Sequence, residues 1–255
     1  MKGPVMKTGV VVAHPRPGIV QITMDRLERR NALDRAAYRA LAAALAEADG
    51  DDAVRAVVLT GAEGCFTAGN DLADFQDMVT KPESSEGLAY LKVLAQFSKP
   101  VLAAVEGYAV GIGTTMLLHC DLAYAGDTAV FRLPFVHLGL CPEGASSYLL
   151  PLVSGTKKAS ELLLLGEAFT AKAAAEAGII NEVTGAGEAL SHALGKAELL
   201  ATLPPSSLAT TKRLLRQAHK HAIAEALERE AAEFHAMRLQ PAAQAAFSRF
   251  LGKRG

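Results

Sequence analysis

Cysteine is scarce in this chain. Its three copies, Cys65, Cys120 and Cys141, are odd in number and lack CxxC spacing. That excludes a disulfide framework and a cysteine-based zinc site, and it favours a reducing compartment. Neither sign of charge is in excess, with 26 basic against 27 acidic residues. No helix reads as lysine-rich, so neither nucleic acid nor an anionic membrane is expected as a required partner. A long unbroken apolar run is also missing. The most hydrophobic stretch, residues 101–120, is interrupted by Glu106, Gly107, Gly111 and Gly113, which suits a buried strand–turn–helix rather than a membrane span. No signal-peptide cleavage pattern follows Met1, and the last residues do not spell Ser-Lys-Leu. The expectation is a soluble, cytoplasmic protein. Half of the 255 residues are hydrophobic, enough to bury a large core.

One further absence is local. Between Asp127 and Glu161 the only acidic side chain is Glu143, in Leu140-Cys141-Pro142-Glu143-Gly144-Ala145-Ser146-Ser147. A carboxylate among apolar residues and a proline–glycine bend is costly to bury ionised, so its pKa is expected to rise. A carboxyl titrating near neutrality is what a general base requires. The other reading is a loop glutamate facing water.

Turn and cap chemistry divides the rest. Strands are expected over 10–13, 19–23, 54–60, 101–105, 122–124, 129–131 and 179–183, with turns at Pro15-Arg16-Pro17-Gly18, Gly61-Ala62-Glu63-Gly64, 107–113 and Gly126-Asp127. Asp34 caps a helix through Ala48 that Gly50 ends, residues 114–120 form a short helix, and Thr170 caps an alanine-rich one. Beyond about residue 186 the pattern is helical: 188–203, 206–220, 222–237 and 241–251. The apolar stripe of 222–237 packs either on another subunit or on the chain's own core. The polar segment 81–87 reads as a mobile surface loop.

Three stretches carry candidate chemistry. Cys65-Phe66-Thr67-Ala68-Gly69-Asn70-Asp71-Leu72 follows one strand, and Val105-Glu106-Gly107-Tyr108-Ala109-Val110-Gly111-Ile112-Gly113 follows another. Each can present a free backbone N–H, and two convergent N–H groups stabilise charge developing on a carbonyl oxygen. The third is the Glu143 segment. Together they suit proton abstraction beside a carbonyl. Several other patterns are set aside. GxGxxG fails because Met116 stands where the third glycine belongs. His119-Cys120-Asp121 cannot form a triad, since adjacent helical residues diverge, and core packing suits them better. His137 reads as a hydrogen-bonded structural histidine or a polar lining residue, and His219 and His221 have no metal partner in view.

In their order, Arg30-Asn31-Ala32-Leu33, Phe66-x-Ala68-Gly69-Asn70-Asp71-Leu72, Val105-x-Gly107 through Gly113 and Pro134 to Gly139 resemble the crotonase (enoyl-CoA hydratase/isomerase) superfamily over roughly the whole chain. The resemblance implies an α/β spiral of ββα repeats over 1–186 holding the acyl-CoA site. It implies a helical trimerisation region over 187–255, and a homotrimer or dimer of trimers. The ligand implied is an acyl-CoA thioester, with coenzyme A as part of the substrate and no separate cofactor or metal. The backbone N–H groups of Asn70 and Ile112 would form the oxyanion hole, and Ala68, Asp71 and Leu72 would line the CoA pocket. Arg29 and Arg30 are either phosphate partners or a solvated charged face.

The two carboxylates that hydration uses in this superfamily align with Thr115 and Phe135, neither of which can transfer a proton as a carboxylate. Glu143, with Pro134-Phe135-x-His137-Leu138-Gly139 and Gly69-Asn70-Asp71-Leu72, is similar instead to the peroxisomal-type Δ3,Δ2-enoyl-CoA isomerases. That implies a shift of a 3-enoyl-CoA double bond to the 2-trans position with Glu143 as base, and an apolar pocket including Phe135, Leu140 and Val110. The alternatives are a hydratase or thioesterase-like relative, and a non-catalytic acyl-CoA-binding protein of the same fold.

Overall fold

The computed structural model describes residues 5–77 and 85–252. The larger sheet has seven strands in the order β1 (Val5–Lys7), β2 (Val10–Arg16), β3 (Ile19–Met24), β4 (Ala56–Gly61), β5 (Val101–Val105), β7 (Leu122–Gly126) and β10 (Glu182–Thr184). β1, β2 and β3 pair antiparallel, and every pairing from β3 to β10 is parallel. A second sheet joins β6 (Tyr108–Val110), β8 (Val130–Arg132) and β9 (Ala168–Thr170). The helices are α1 (Arg35–Gly50), α2 (Leu72–Asp77), α3 (Glu86–Gln96), α4 (Ile112–Thr115), α5 (Ser146–Ser160), α6 (Ala171–Glu176), α7 (Ala189–Ala201), α8 (Pro205–Gln217), α9 (Lys220–Arg238) and α10 (Pro241–Gly252). The expected α/β core followed by a helical C-terminal region is borne out.

The parallel strands are buried on both faces, as β4 and β5 show. Alternation sends Val57, Leu59, Val101, Ala103 and Val105 into the main core. Ala56, Val58, Leu102 and Ala104 face the other way, onto Ala189, Ala193 and Ala197 of α7. Those alanines recur every four residues, so one small-residue face of α7 lies against the sheet. α1 packs on the main core through Ala37, Leu41, Ala44, Leu45 and Ala48. Asp34 caps it by accepting from the Ala37 N–H, a contribution of about 1 kcal/mol. Thr170 caps α6 in the same way.

Several boundaries differ from the sequence reading, for identifiable reasons. The glycine-rich stretch expected as a turn contains β6, formed by pairing with β8, a partner its own sequence does not signal. β9 has the same origin. The helix expected over 114–120 starts two residues earlier, as α4, and tightens into a 3-10 turn over Met116–His119. The strand expected over 179–183 begins only at Glu182. Ile179 and Ile180 are buried in a turn leaving Gly178, and Asn181 exchanges two hydrogen bonds with Ala123 before the strand starts. α2, α3 and α5 are additional. α5 hides its periodicity behind Pro151 and a break at Gly155. α3 is capped by Ser85, so it includes Glu86 and Gly87 of the expected surface loop, while residues 81–84 of that loop lie outside the described residues. α9 packs on α5 and α3 of its own chain, with Ala226, Leu227 and Phe234 inside. No helix among the described residues is long and apolar enough to cross a membrane.

Candidate active site

β4 and β5 are parallel neighbours, so the segments leaving their carboxyl ends emerge side by side. These are the two glycine-bearing stretches. Backbone hydrogen bonds join them: Phe66 N–H to Glu106 O at 2.7 Å, Thr67 N–H to Tyr108 O at 2.8 Å and Val110 N–H to Thr67 O at 3.1 Å. Gly69, at φ +88°, lies so close that a Cβ there would sit 2.6 Å from Val110 O. Buried Asn31 holds the first stretch from below. Its Nδ2 donates to Ala62 O and Cys65 O, and its Oδ1 accepts from the Arg26 N–H.

That lacing leaves two amides uncommitted. Leu33 donates to Gly69 O and accepts from the Asp71 N–H, which turns the amide of Asn70 to the opposite side. Gly111, at φ +56°, donates to Arg132 O and turns the chain into α4, whose first residue is Ile112. A first helical residue has no intrahelical acceptor for its N–H. Among the described residues, neither the Asn70 nor the Ile112 N–H donates to a backbone carbonyl.

Beside them opens a cavity of about 200 Å³. Ala68, Val110, Phe135, Leu138, Leu140 and Phe234 give it an apolar wall, and Asn70, Asp71 and Glu143 add polar groups. Ile112 is fully buried beside it rather than on the wall.

Glu143 reaches the cavity from a segment folded by left-handed residues, Gly139 at φ +68°, Gly144 at φ +76° and Ala145 at φ +56°. The segment is anchored at both ends. His119 Nε2 donates to Gly144 O at 2.8 Å, and α5, which follows, is capped across space by Glu230 of α9, whose Oε1 accepts from the Ser147 N–H and hydroxyl. Burial lowers the His119 pKa to about 4, so it acts as a neutral donor. A Cβ on Gly144 would approach Thr115 Oγ1 to 2.7 Å, so Thr115 backs this loop.

The Glu143 residue is partly open to the cavity, but protein surrounds its carboxyl, and that surrounding governs its protonation. Burial pushes its pKa up to about 7, helped by the Glu230 charge and opposed by a hydrogen bond of 2.9 Å from Asn70 Nδ2 to Oε1. Among the described residues it forms no ion pair with a cation. Asp71, the other acid on the wall, pairs with Arg26 at 3.3 Å and accepts from the Ala73 N–H.

The structure therefore brings Glu143, Asn70, Ala68, Asp71, Leu72 and Phe135 to one cavity, with Ile112 adjoining. The Ala68 N–H is already committed to Arg30 O. Arg29 and Arg30 are exposed and off the wall. His137 lines the cavity and also donates to Leu165 O at 2.7 Å, so both readings of it hold. His119, Cys120 and Asp121 form no triad, since Asp121 binds Lys212 and Arg216 instead. Sequence reasoning missed Tyr38, whose hydroxyl donates to Asn70 Oδ1, and Phe234, which comes from a distant helix. It also missed the side chain of Asn70, having assigned only its backbone. No local pattern marks such contacts. Among the described residues no group of three or more His, Cys, Asp or Glu side chains could hold a metal ion.

An unpaired carboxyl titrating near neutrality, beside two uncommitted amides in an apolar cavity, can take a proton from carbon next to a polarised carbonyl. Residues 15–255 match the family model for enoyl-CoA hydratase/isomerase. Enoyl-CoA delta isomerase 2 of Rattus norvegicus is 36% identical over 217 residues, 82% of this chain and 55% of that protein, so the chain spans about half its length. The 2,3-dehydroadipyl-CoA hydratase of Escherichia coli is 32% identical over 238 residues, 92% of this chain and 93% of that one. The crystal structure of an enoyl-CoA hydratase/isomerase from Pseudoalteromonas atlantica superposes with a TM-score of 0.90 at 37% identity, covering 97% of this chain and 98% of that one.

Proposed function

The chain belongs to the enoyl-CoA hydratase/isomerase family, and on that premise we propose that it moves the double bond of a 3-enoyl-CoA to the 2-trans position. One observation carries this reading. Glu143 is the only carboxyl on the described cavity wall that is free of a cation, and it titrates near neutrality.

The steps follow from that carboxyl. Glu143 takes a proton from C2, and the electron pair delocalises through the β,γ double bond and the thioester into a dienolate. The N–H groups of Asn70 and Ile112 hold the charge on the thioester oxygen. Glu143, now a carboxylic acid, returns the proton at C4, and the α,β double bond is left. One carboxyl serves both carbons, no water needs activating, and the apolar wall of Phe135 and Leu140 keeps solvent from the dienolate. Thr115 and Phe135 supply no second acid. Coenzyme A enters as part of the substrate, with Ala68 and Leu72 against it and Arg29 and Arg30 at hand for its phosphates.

The similarity to the Escherichia coli hydratase favours water addition as a second reading. Parallel incubations with a 3-enoyl-CoA and a 2-enoyl-CoA separate the two. Conjugation of the first with negligible hydration of the second is expected, and rapid hydration without conjugation overturns the isomerase reading. Exposed Leu164, Leu165, Leu199, Leu214 and Leu215 support self-association as a homotrimer or dimer of trimers. Sedimentation equilibrium tests it, and a monomer at micromolar concentration contradicts it.

A further inference from the structure

Glu230 is a buried acid that the proposed reaction does not use. It lies on α9 and is only 5% exposed, and a carboxylate taken out of water needs partners. Its Oε1 has two, the Ser147 N–H at 2.8 Å and the Ser147 hydroxyl. Its Oε2 is buried without a hydrogen-bond partner among the described residues. The cation that acts on it, Arg229, is exposed and pairs with Glu225 at 3.3 Å instead. The residue at the N-cap of α5, Ala145, has no side chain to cap with, so the cap comes from 83 residues along the chain.

The same residue touches the other end of the segment. The Glu230 backbone carbonyl accepts from the Cys141 thiol at 3.9 Å, a weak donor. Glu230 therefore meets residues 141 and 147, on either side of Glu143. Between them the Glu143 carbonyl accepts from the Ser146 hydroxyl at 2.7 Å. One turn further along α9, Phe234 stands on the cavity wall. A single face of α9 meets both the loop that carries the base and the pocket the base serves.

We propose that Glu230 is a positioning residue for the base: from α9 it clamps the segment carrying Glu143 at both ends and sets a like charge against the Glu143 carboxyl. The proposal deepens the isomerase reading and rests on it. Several elements contribute the other groups around the two acids. Tyr38 of α1 and Asn70 face Glu143, and His119 holds its segment at Gly144 O. Ser147 and Ala145 face Glu230, while Cys141 lies near both acids and near Glu233. Tyr148 of α5 is engaged with His219. On α3 and α10, which also pack on α9, Lys92 pairs with Glu228 and Arg249 bonds to Ala245 O of its own helix.

Two neighbouring carboxyls do not ionise independently. Burial raises the Glu230 pKa against its Ser147 donors, and its charge, once present, helps to hold the Glu143 pKa up. The test compares the whole protein with Glu230→Gln and Glu230→Ala, following kcat and kcat/KM for a 3-enoyl-CoA across pH and the folded fraction by thermal melts. Substrate-free titration of ¹³C-labelled glutamate carboxyls, with Glu143 identified by the signal lost in Glu143→Gln, reads the base directly. Glutamine keeps an oxygen for Ser147 and removes the charge. It should lose at most about threefold in plateau kcat, while the acid limb and the Glu143 titration move down by about half a pH unit, a roughly threefold relative gain at pH 6. Alanine removes clamp and charge together, and should lower plateau kcat about tenfold or more with KM within a few-fold. If the alanine variant does not fold, the limb and titration of the glutamine variant decide alone. An unmoved limb and titration, with any loss of turnover only in step with the folded fraction, would make Glu230 a plain helix cap. That result overturns the positioning role and leaves the isomerase reading standing. A Glu143 titration that moves in a protein unable to conjugate 3-enoyl-CoA upholds the positioning role and removes the reaction it was meant to serve.

Discussion

Asp121 and Glu143 are two partly buried acids of the same chain, and they are treated in opposite ways. Asp121 accepts from Arg216 at 2.9 Å, from Lys212 at 2.7 Å and from the Val101 N–H at 2.8 Å. Lys212 is so well enclosed that burial brings its own pKa down to about 8, against the pull of Asp121. Among the described residues Glu143 has one neutral donor, a like charge on α9 and no cation. Two cations hold the first acid and tie α8 to the start of β5. Burial, with no cation beside it among the described residues, lets the second change charge near pH 7. The difference teaches that the buried acid with no cation beside it is the chemical one here, and the acid paired with two cations is the structural one.

The sharpest way to break that contrast is to remove the paired acid. Asp121→Asn leaves Lys212 and Arg216 uncompensated, and should cost about 3–5 kcal/mol in denaturant unfolding without moving the acid limb of turnover. A loss of under about 1 kcal/mol would mean that the cluster is not the tie described. Next comes the cost of the free charge. The folded pKa of Glu143, about 7, lies above its ordinary 4.5. Its favourable contribution is therefore fully present below pH 4.5 and is lost as pH rises through 7. Glu143→Gln should be more stable relative to the parent at pH 8.5 than at pH 4, by up to about 3 kcal/mol in matched melts. A smaller effect concerns rate. Turnover of the parent should fall about tenfold per pH unit below 7 and level off above it, and an acid limb near pH 4.5 would deny the raised value. The smallest effect is expected outside the cavity. Arg29→Ala and Arg30→Ala should each raise KM a few-fold with kcat unchanged, an effect fading in high salt. No change in KM at low salt would leave both as a solvated charged face.

Legibility in the sequence followed the range of each interaction. Asp34 and Thr170 announced their helices because a cap acts over three residues, and the parallel strands declared themselves as apolar runs. Glu143 stood out because thirty-odd residues around it carry no other acid. β6 and β9 were hidden because each exists by pairing with residues far along the chain. Pro151 and Gly155 masked α5 by breaking the pattern that marks a helix. The side-chain amide of Asn70 went unnoticed for the same reason as β6. Its partners are Tyr38, 32 residues before it, and Glu143, 73 residues after, and no spacing rule connects them.

The central claim is that the uncompensated carboxyl of Glu143 moves the proton. The most direct test is rapid-mixing turnover of a 3-enoyl-CoA by Glu143→Gln, alongside calorimetric acyl-CoA binding by the same variant. A loss of about a thousandfold or more in turnover, with affinity within a few-fold of the parent, is predicted. Turnover near that of the parent would contradict the account.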